Sequence, residues 1–276
     1  MKTPLCTAIS VLSVSFLISA TKAGDTLLQV STIDALMKGI FDGKVSFGEL
    51  KKRGDFGIGT LDNLDGEMLA LDGKFYQITS DGAVKPIPDE VETPFAAVVF
   101  FEGEKTVRLG ATESLAKLQE KLDAEVSSTN LFHAVKVTGT FPLMNLRSVA
   151  RQEPPFRTLP EVAKEQSLFN LTEVKGTLVG FRCPEYVKGL NVPGYHFHFL
   201  SEDGKQGGHV LDCAVAGGAA EIDTLENFTM FLPKDREFMT ADFSEHDAKG
   251  LEAVEQIKKE SVPAAENSKQ GEAAEK

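Results

Sequence analysis

Apolar positions fall in short runs along this chain, and the spacing of those runs changes character several times. In "STIDALMKGIFDG" Ile33, Leu36, Met37 and Ile40 sit at helical spacing behind a serine in the capping position, and "SFGELKKRG" predicts a second short helix. From Phe56 the runs shorten: "FGIGTL", "EMLAL" and "KFYQIT" are separated by "DNLDG" and "DG", the pattern of strands and tight turns. "PFAAVVFFEGEKTVRLG" predicts a hairpin around Glu102–Lys105, and "TESLAKLQEKLDAEV" an amphipathic helix beginning at its threonine. "LFHAVKVTGTF" and "PLMNLRSV" predict two more strands, with the proline-rich "RQEPPFRTLP" as a connection.

A second, mostly β part begins near Leu171. "LTEVKGTLVGFRC", "YHFHFL", "GGHVLDCAVAGG" and "ENFTMFLP" are strand patterns broken by Gly, Pro and Asp turns, and "EHDAKGLEAVEQIKKE" predicts a closing helix. The expected fold is α+β, with mixed and antiparallel sheets, flanking helices and two β-rich subdomains, 24–170 and 171–260. Residues 261–276 are dominated by Ala, Glu, Lys and Ser and predict a disordered tail. "GIGTLDNLDGEMLALD" and "FHFLSEDGKQGGHVLD" echo one another: each reads strand, acidic glycine turn, strand, ending in Leu-Asp.

The N-terminus changes the picture. Residues 1–23 have a lysine at position 2, an uncharged apolar run and a small-residue "TKA", the layout of a cleavable export signal, so a secreted or periplasmic protein is expected. The run is short for a membrane span, and no stable membrane association is expected after cleavage. Loss of Lys2 and Lys22 would leave 27 basic against 41 acidic side chains, a charge of −14, which argues against nucleic acid and anionic membrane as partners. A small anionic substrate then requires a local cation. The remaining cysteines, Cys183 and Cys213, could pair in an oxidising compartment or persist as buried thiols. "NLT" at Asn170 and "NFT" at Asn227 are acceptors only in a glycosylating host.

Of five histidines, three lie in "GYHFHFLSEDGKQGGHVLD". Residues two apart on a strand share a face, so His196 and His198 project together while Phe197 and Phe199 turn to the core. The glycine turn returns the chain as the neighbouring strand and brings His209 beside them. Three imidazoles converging from a strand–turn–strand hairpin form a facial set with open positions for water or substrate. Imidazole alone suits zinc, iron, copper or nickel, and no H-E-x-x-H helix is present.

Those residues, with "GDFGIGTLDNLDGEMLALDGKFYQI" and "LRSVARQEPPFRTLPEV" in the same order, closely resemble the α-acetolactate decarboxylase family over roughly Leu27 to Glu255. The resemblance implies a carboxy-lyase that turns 2-acetolactate, a 2-hydroxy-3-keto acid, into acetoin and carbon dioxide. It implies zinc held by His196, His198 and His209, with Glu67 of "L-D-G-E" beside the metal and Arg147 of "R-S-V-x-R-Q" facing the substrate. Glu255 matches a glutamate on a C-terminal arm folded over the site, Glu252 matches it less well, and Thr60 lines the pocket. A homodimer is compatible with this reading. The rivals are a non-catalytic three-histidine domain of regulatory type, such as the plant-and-prokaryote conserved domain, and an exported metal-sequestering protein.

Overall fold

The protein is described by a computed structural model over residues 23–255. The expected export signal, apart from its last residue, and the expected tail lie outside the described residues. No helix among the described residues is long and apolar enough to cross a membrane.

Two large sheets, a two-stranded ribbon of Val45–Ser46 with Glu92–Thr93, and a helical cap make up the described residues. The first sheet has seven strands, in the order Asn227–Phe231, Thr26–Val30, Ala96–Val99, Phe56–Thr60, Glu67–Leu71, Lys74–Ile78 and Val84–Pro86. Its neighbours are antiparallel except the first pair, where Thr26–Val30 runs parallel to Asn227–Phe231. "AAVV" lacks polar alternation because it is covered on both faces: Ala97 and Val99 join one core, Ala96 and Val98 another.

The second sheet runs Ser167–Cys183, Gly194–Ser201, Gly207–Ala214, Phe132–Ser148, Gly217–Leu225 and Lys105–Leu109. Phe132–Ser148 also pairs directly with Ser167–Cys183, so this sheet closes on itself. Phe141, Met144, Leu178, Phe197 and Phe199 fill one face, sealed by Leu118 and Leu122 of the helix Leu115–Asp123. From the opposite face Val179, Phe181 and Leu200 pack onto Phe56, Ile58 and Leu69 of the first sheet. The mixed α+β architecture expected from the sequence is therefore present, with the histidine hairpin in the later part.

Several local expectations are corrected. There is no hairpin around Glu102–Lys105, because Ala96–Val99 belongs to the first sheet and Lys105–Leu109 to the second. The turn between them crosses over, tied down by Asp223, whose carboxylate accepts from the backbone N–H of Glu102 and Glu104 at 2.6 Å each. "LFHAVKVTGTF" and "PLMNLRSV" form one continuous strand. Pro142 is tolerated inside it because the ladders skip that residue, the register passing from Phe141–Val174 to Leu143–Thr172. The first helix, Ile33–Met37, is capped by Thr32 rather than Ser31, and Leu115–Asp123 is capped by Ser114 rather than the threonine before it. Cys183 and Cys213 are buried free thiols in different cores. The border expected at residue 170 falls inside the strand Ser167–Cys183, and strands from both sides of it share the second sheet.

Candidate active site

The two hairpins that echo one another in sequence meet face to face. Phe56–Thr60 pairs with Glu67–Leu71, placing Thr60 opposite Glu67; Gly194–Ser201 pairs with Gly207–Ala214, placing His198 opposite His209. The turn that delivers Glu67 requires Gly66, which has φ +85° and would bring a Cβ to 2.3 Å from the Ile78 carbonyl. His209 in turn lies opposite Arg147 on the strand Phe132–Ser148. A register shift between Asn145 and Leu146 precedes that pair, so Cys213 and Val210 both face the same core while His209 faces the first sheet.

One ligand atom from each of His196, His198 and His209 lies within 4.8 Å of the others, and all three side chains are nearly inaccessible. His198 Nδ1 donates to the Met68 carbonyl at 2.8 Å, which fixes its tautomer and leaves the Nε2 lone pair directed into the cluster. The Nε2 atoms of His198 and His209 are buried without a hydrogen-bond partner among the described residues. Unpartnered buried nitrogens of this kind fit a cation-binding set. Around them Glu67 Oε2 is 3.6 Å from His198 Nε2, and Glu255 Oε2 is 3.6 Å from His209 Nε2 and 3.7 Å from His196 Nε2. Arg147 joins the two carboxylates: Nη1 donates to Glu67 Oε1 at 2.7 Å, and Nη2 is 3.7 Å from Glu255 Oε1.

Burial controls the charges. It pushes Glu67 up to about 7 against the pull of Arg147, with Glu255 adding a further push, and it lifts Glu255 to about 7 against the same arginine. Burial, with Arg147 behind it, lowers His196 to about 3 and holds His209 well below its usual range, and burial with His196 behind it does the same to His198. The imidazoles are therefore neutral, as metal donors must be. Unfolded histidines take up protons near 6.5 while these do not, so acidification favours unfolding through three histidines. The two glutamates act oppositely, accepting protons near 7 when folded and near 4.5 when unfolded. Three outweigh two: the thermal midpoint of chelated protein is expected to fall as pH drops below 6.5, and more steeply below 4.5. A midpoint that rises on acidification contradicts the neutral, buried trio.

Glu255 reaches the site on the helix Ala248–Glu255, which docks through Val254 and Leu251 against Ile33, Leu36, Leu159 and Val192. Burying Val254 contributes roughly 1.5 kcal/mol toward holding it there, and Arg147 Nε donates to the Val254 carbonyl at 3.2 Å. Glu252 is exposed on the same helix. Thr60 is buried and lines the chamber, its hydroxyl donating to the Gly66 carbonyl at 2.7 Å. All seven sequence-predicted residues thus lie in or beside one site. The Met68 and Val254 carbonyls escaped sequence reasoning, since backbone acceptors leave no signature in residue type.

Two spaces adjoin the trio. An inner chamber of about 30 Å³ is walled by Leu36, Leu64, Phe95 and Val149 on its apolar side, and by Glu67, Arg147, His196 and His198 on the other. An outer cleft of about 620 Å³ reaches His196, His209 and Glu255 from the side of the helix Leu115–Asp123. Glu255 borders both.

Fold and site together define a mixed α+β protein that sets three buried imidazoles, an arginine and two carboxyls around one small chamber. Comparison with known proteins agrees. The family model for alpha-acetolactate decarboxylase matches residues 27–245. The alpha-acetolactate decarboxylase of Methanosarcina mazei is 50% identical over 84% of this chain and 81% of its own length, and that of Methylococcus capsulatus is 42% identical over 83% and 88%. The crystal structure of alpha-acetolactate decarboxylase from Bacillus subtilis superposes with a TM-score of 0.82 at 36% identity, covering 84% of this chain and 100% of that one. The chain belongs to the α-acetolactate decarboxylase family and is one of its enzymes.

Proposed function

We propose that this enzyme converts 2-acetolactate to acetoin and carbon dioxide with a zinc ion held by His196, His198 and His209. The observation that carries this reading is the pair of buried, unpartnered Nε2 atoms of His198 and His209, converging with His196 beside two carboxyls and an arginine. When bound, such an ion supplies Lewis acidity, drawing electron density from the substrate oxygens as the carbon–carbon bond breaks.

The chain's own groups carry the remaining work. Arg147 is the local cation that an acidic surface otherwise lacks, and its planar fork suits a carboxylate. Its bond to Glu67 Oε1 keeps Oε2 turned toward His198. Carboxyls pushed up to about 7 hold and release protons near neutrality. Glu67 stands toward His198 and Glu255 toward His196 and His209, so a proton from either reaches one face only, and a single acetoin enantiomer is expected. Thr60 and the apolar wall restrict water around the reacting carbons.

The test is direct. Purified protein mixed with racemic 2-acetolactate should release acetoin and carbon dioxide, stop on chelation and recover with zinc. Metal binding without turnover would favour the non-catalytic rival. A chain ending at residue 250 should keep its zinc and lose turnover by about 10²-fold; one with normal rate and stereoselectivity removes Glu255 from the mechanism. Export after cleavage at Ala23 belongs to the same proposal, and a mature protein that begins at Met1 would end it.

A further inference from the structure

We propose that Asp34 and His246 are the tie that holds the C-terminal arm closed over the imidazole trio, which makes both of them positioning residues for Glu255. The inference rests on the role given to Glu255 above.

Residues 232–255 leave the first sheet and run over the surface, and among these described residues only Val254 and the side chain of Glu255 are withdrawn from water. A segment with so little burial opens at small cost. Its tip carries Glu255, which borders both the inner chamber of about 30 Å³ and the outer cleft of about 620 Å³, so where the arm lies decides where that carboxyl stands. Closure must then depend on a few specific contacts. Val254 and Arg147 secure the tip of the arm. Further back, His246 Nδ1 donates to Asp34 Oδ2. Asp34 is 7% exposed, and its carboxylate bonds to no other side chain among the described residues. Opening the arm therefore breaks the one side-chain hydrogen bond that this carboxylate makes among the described residues. Asp34 lies on the helix Ile33–Met37, whose Ile33 and Leu36 wall the chamber, so the tie joins the arm to the element that lines the site. Gly189, with φ +83°, makes the notch for the ring: a Cβ there would stand 2.4 Å from His246 Cε1.

The experiment uses zinc-loaded enzyme carrying His246→Ala or His246→Gln, each with and without Glu255→Gln. His246→Ala should lower kcat roughly three- to tenfold, leave zinc content unchanged, and speed tryptic cleavage after Lys249 by a similar factor. His246→Gln, whose amide can still donate to Asp34, should restore both. In the Glu255→Gln background His246→Ala should cost nothing further, because the arm no longer carries the group it places. Wild-type kcat and cleavage in His246→Ala overturn the tie, as does an equal loss in both backgrounds. If Glu255→Gln alone turns over at the wild-type rate, the role of Glu255 falls and the positioning role with it, while faster cleavage of His246→Ala still reports the contact.

Discussion

His198→Ala is expected to remove the bound ion and turnover together, lowering the rate on the order of a thousandfold or more. The reason is local. His198 is held by the Met68 carbonyl in the one tautomer that turns Nε2 toward the other rings. Its replacement leaves His196 and His209, and two imidazoles do not hold a divalent cation in place against water. The Lewis acidity so lost is worth several kcal/mol in the transition state, and each 1.4 kcal/mol is about tenfold in rate. The fold should survive, since the deleted ring is replaced by a methyl beneath Met68 and the neighbouring Phe197 and Phe199 pack into a separate core. Metal analysis beside the acetoin assay reads both effects. A variant that keeps full turnover without metal ends the zinc proposal, and one that keeps its metal removes His198 from the ligand set.

Arg147→Lys is expected to leave the ion bound and to lower turnover by about 10²-fold. The guanidinium makes two hydrogen bonds, to Glu67 and to the Val254 carbonyl, and lies near Glu255 as well. An ammonium is a point donor on a flexible stem and cannot span that set. One carboxylate is left buried without its partner, a change that costs about 3–5 kcal/mol when a buried pair is broken outright and less here because the charge remains. Relief of the mismatch by protonating Glu67 or releasing the arm changes the proton balance of the site either way. The discriminating measurement is zinc content together with kcat: loss of both would make Arg147 structural, and an unchanged rate would remove its assigned role.

The histidine hairpin was legible in the chain because strand geometry is periodic. Alternation put His196 and His198 on one face and the Phe residues on the other, and the glycine turn brought His209 alongside. Glu67, Arg147, Thr60 and Glu255 were reached through resemblance alone. An acid after a turn, an arginine near other charges and a glutamate on a charged helix have no local pattern that sets them apart. Mistaken boundaries have similar causes. The expected hairpin around Glu102–Lys105 failed because pairing partners are chosen by burial across sheets, where fully covered Ala96–Val99 and Lys105–Leu109, an edge strand that buries only Leu109, have different places. Pro142 marked a break by the usual rule, yet the ladders skip it.

What the chain determined by itself is the set of short-range features: strand and turn spacing, helix caps within a residue or two, and the shared face of the histidine hairpin. These follow from backbone geometry and from contacts between near neighbours. What only the tertiary structure decided is which distant residues share the chamber. Arg147 meets Glu67 and the arm because one strand closes the second sheet, and Glu255 arrives because Val254 buries itself in the helical cap. The unusual protonation of the two carboxyls is likewise a product of assembly, since the loss of water that raises them exists only once both sheets and the arm are in place.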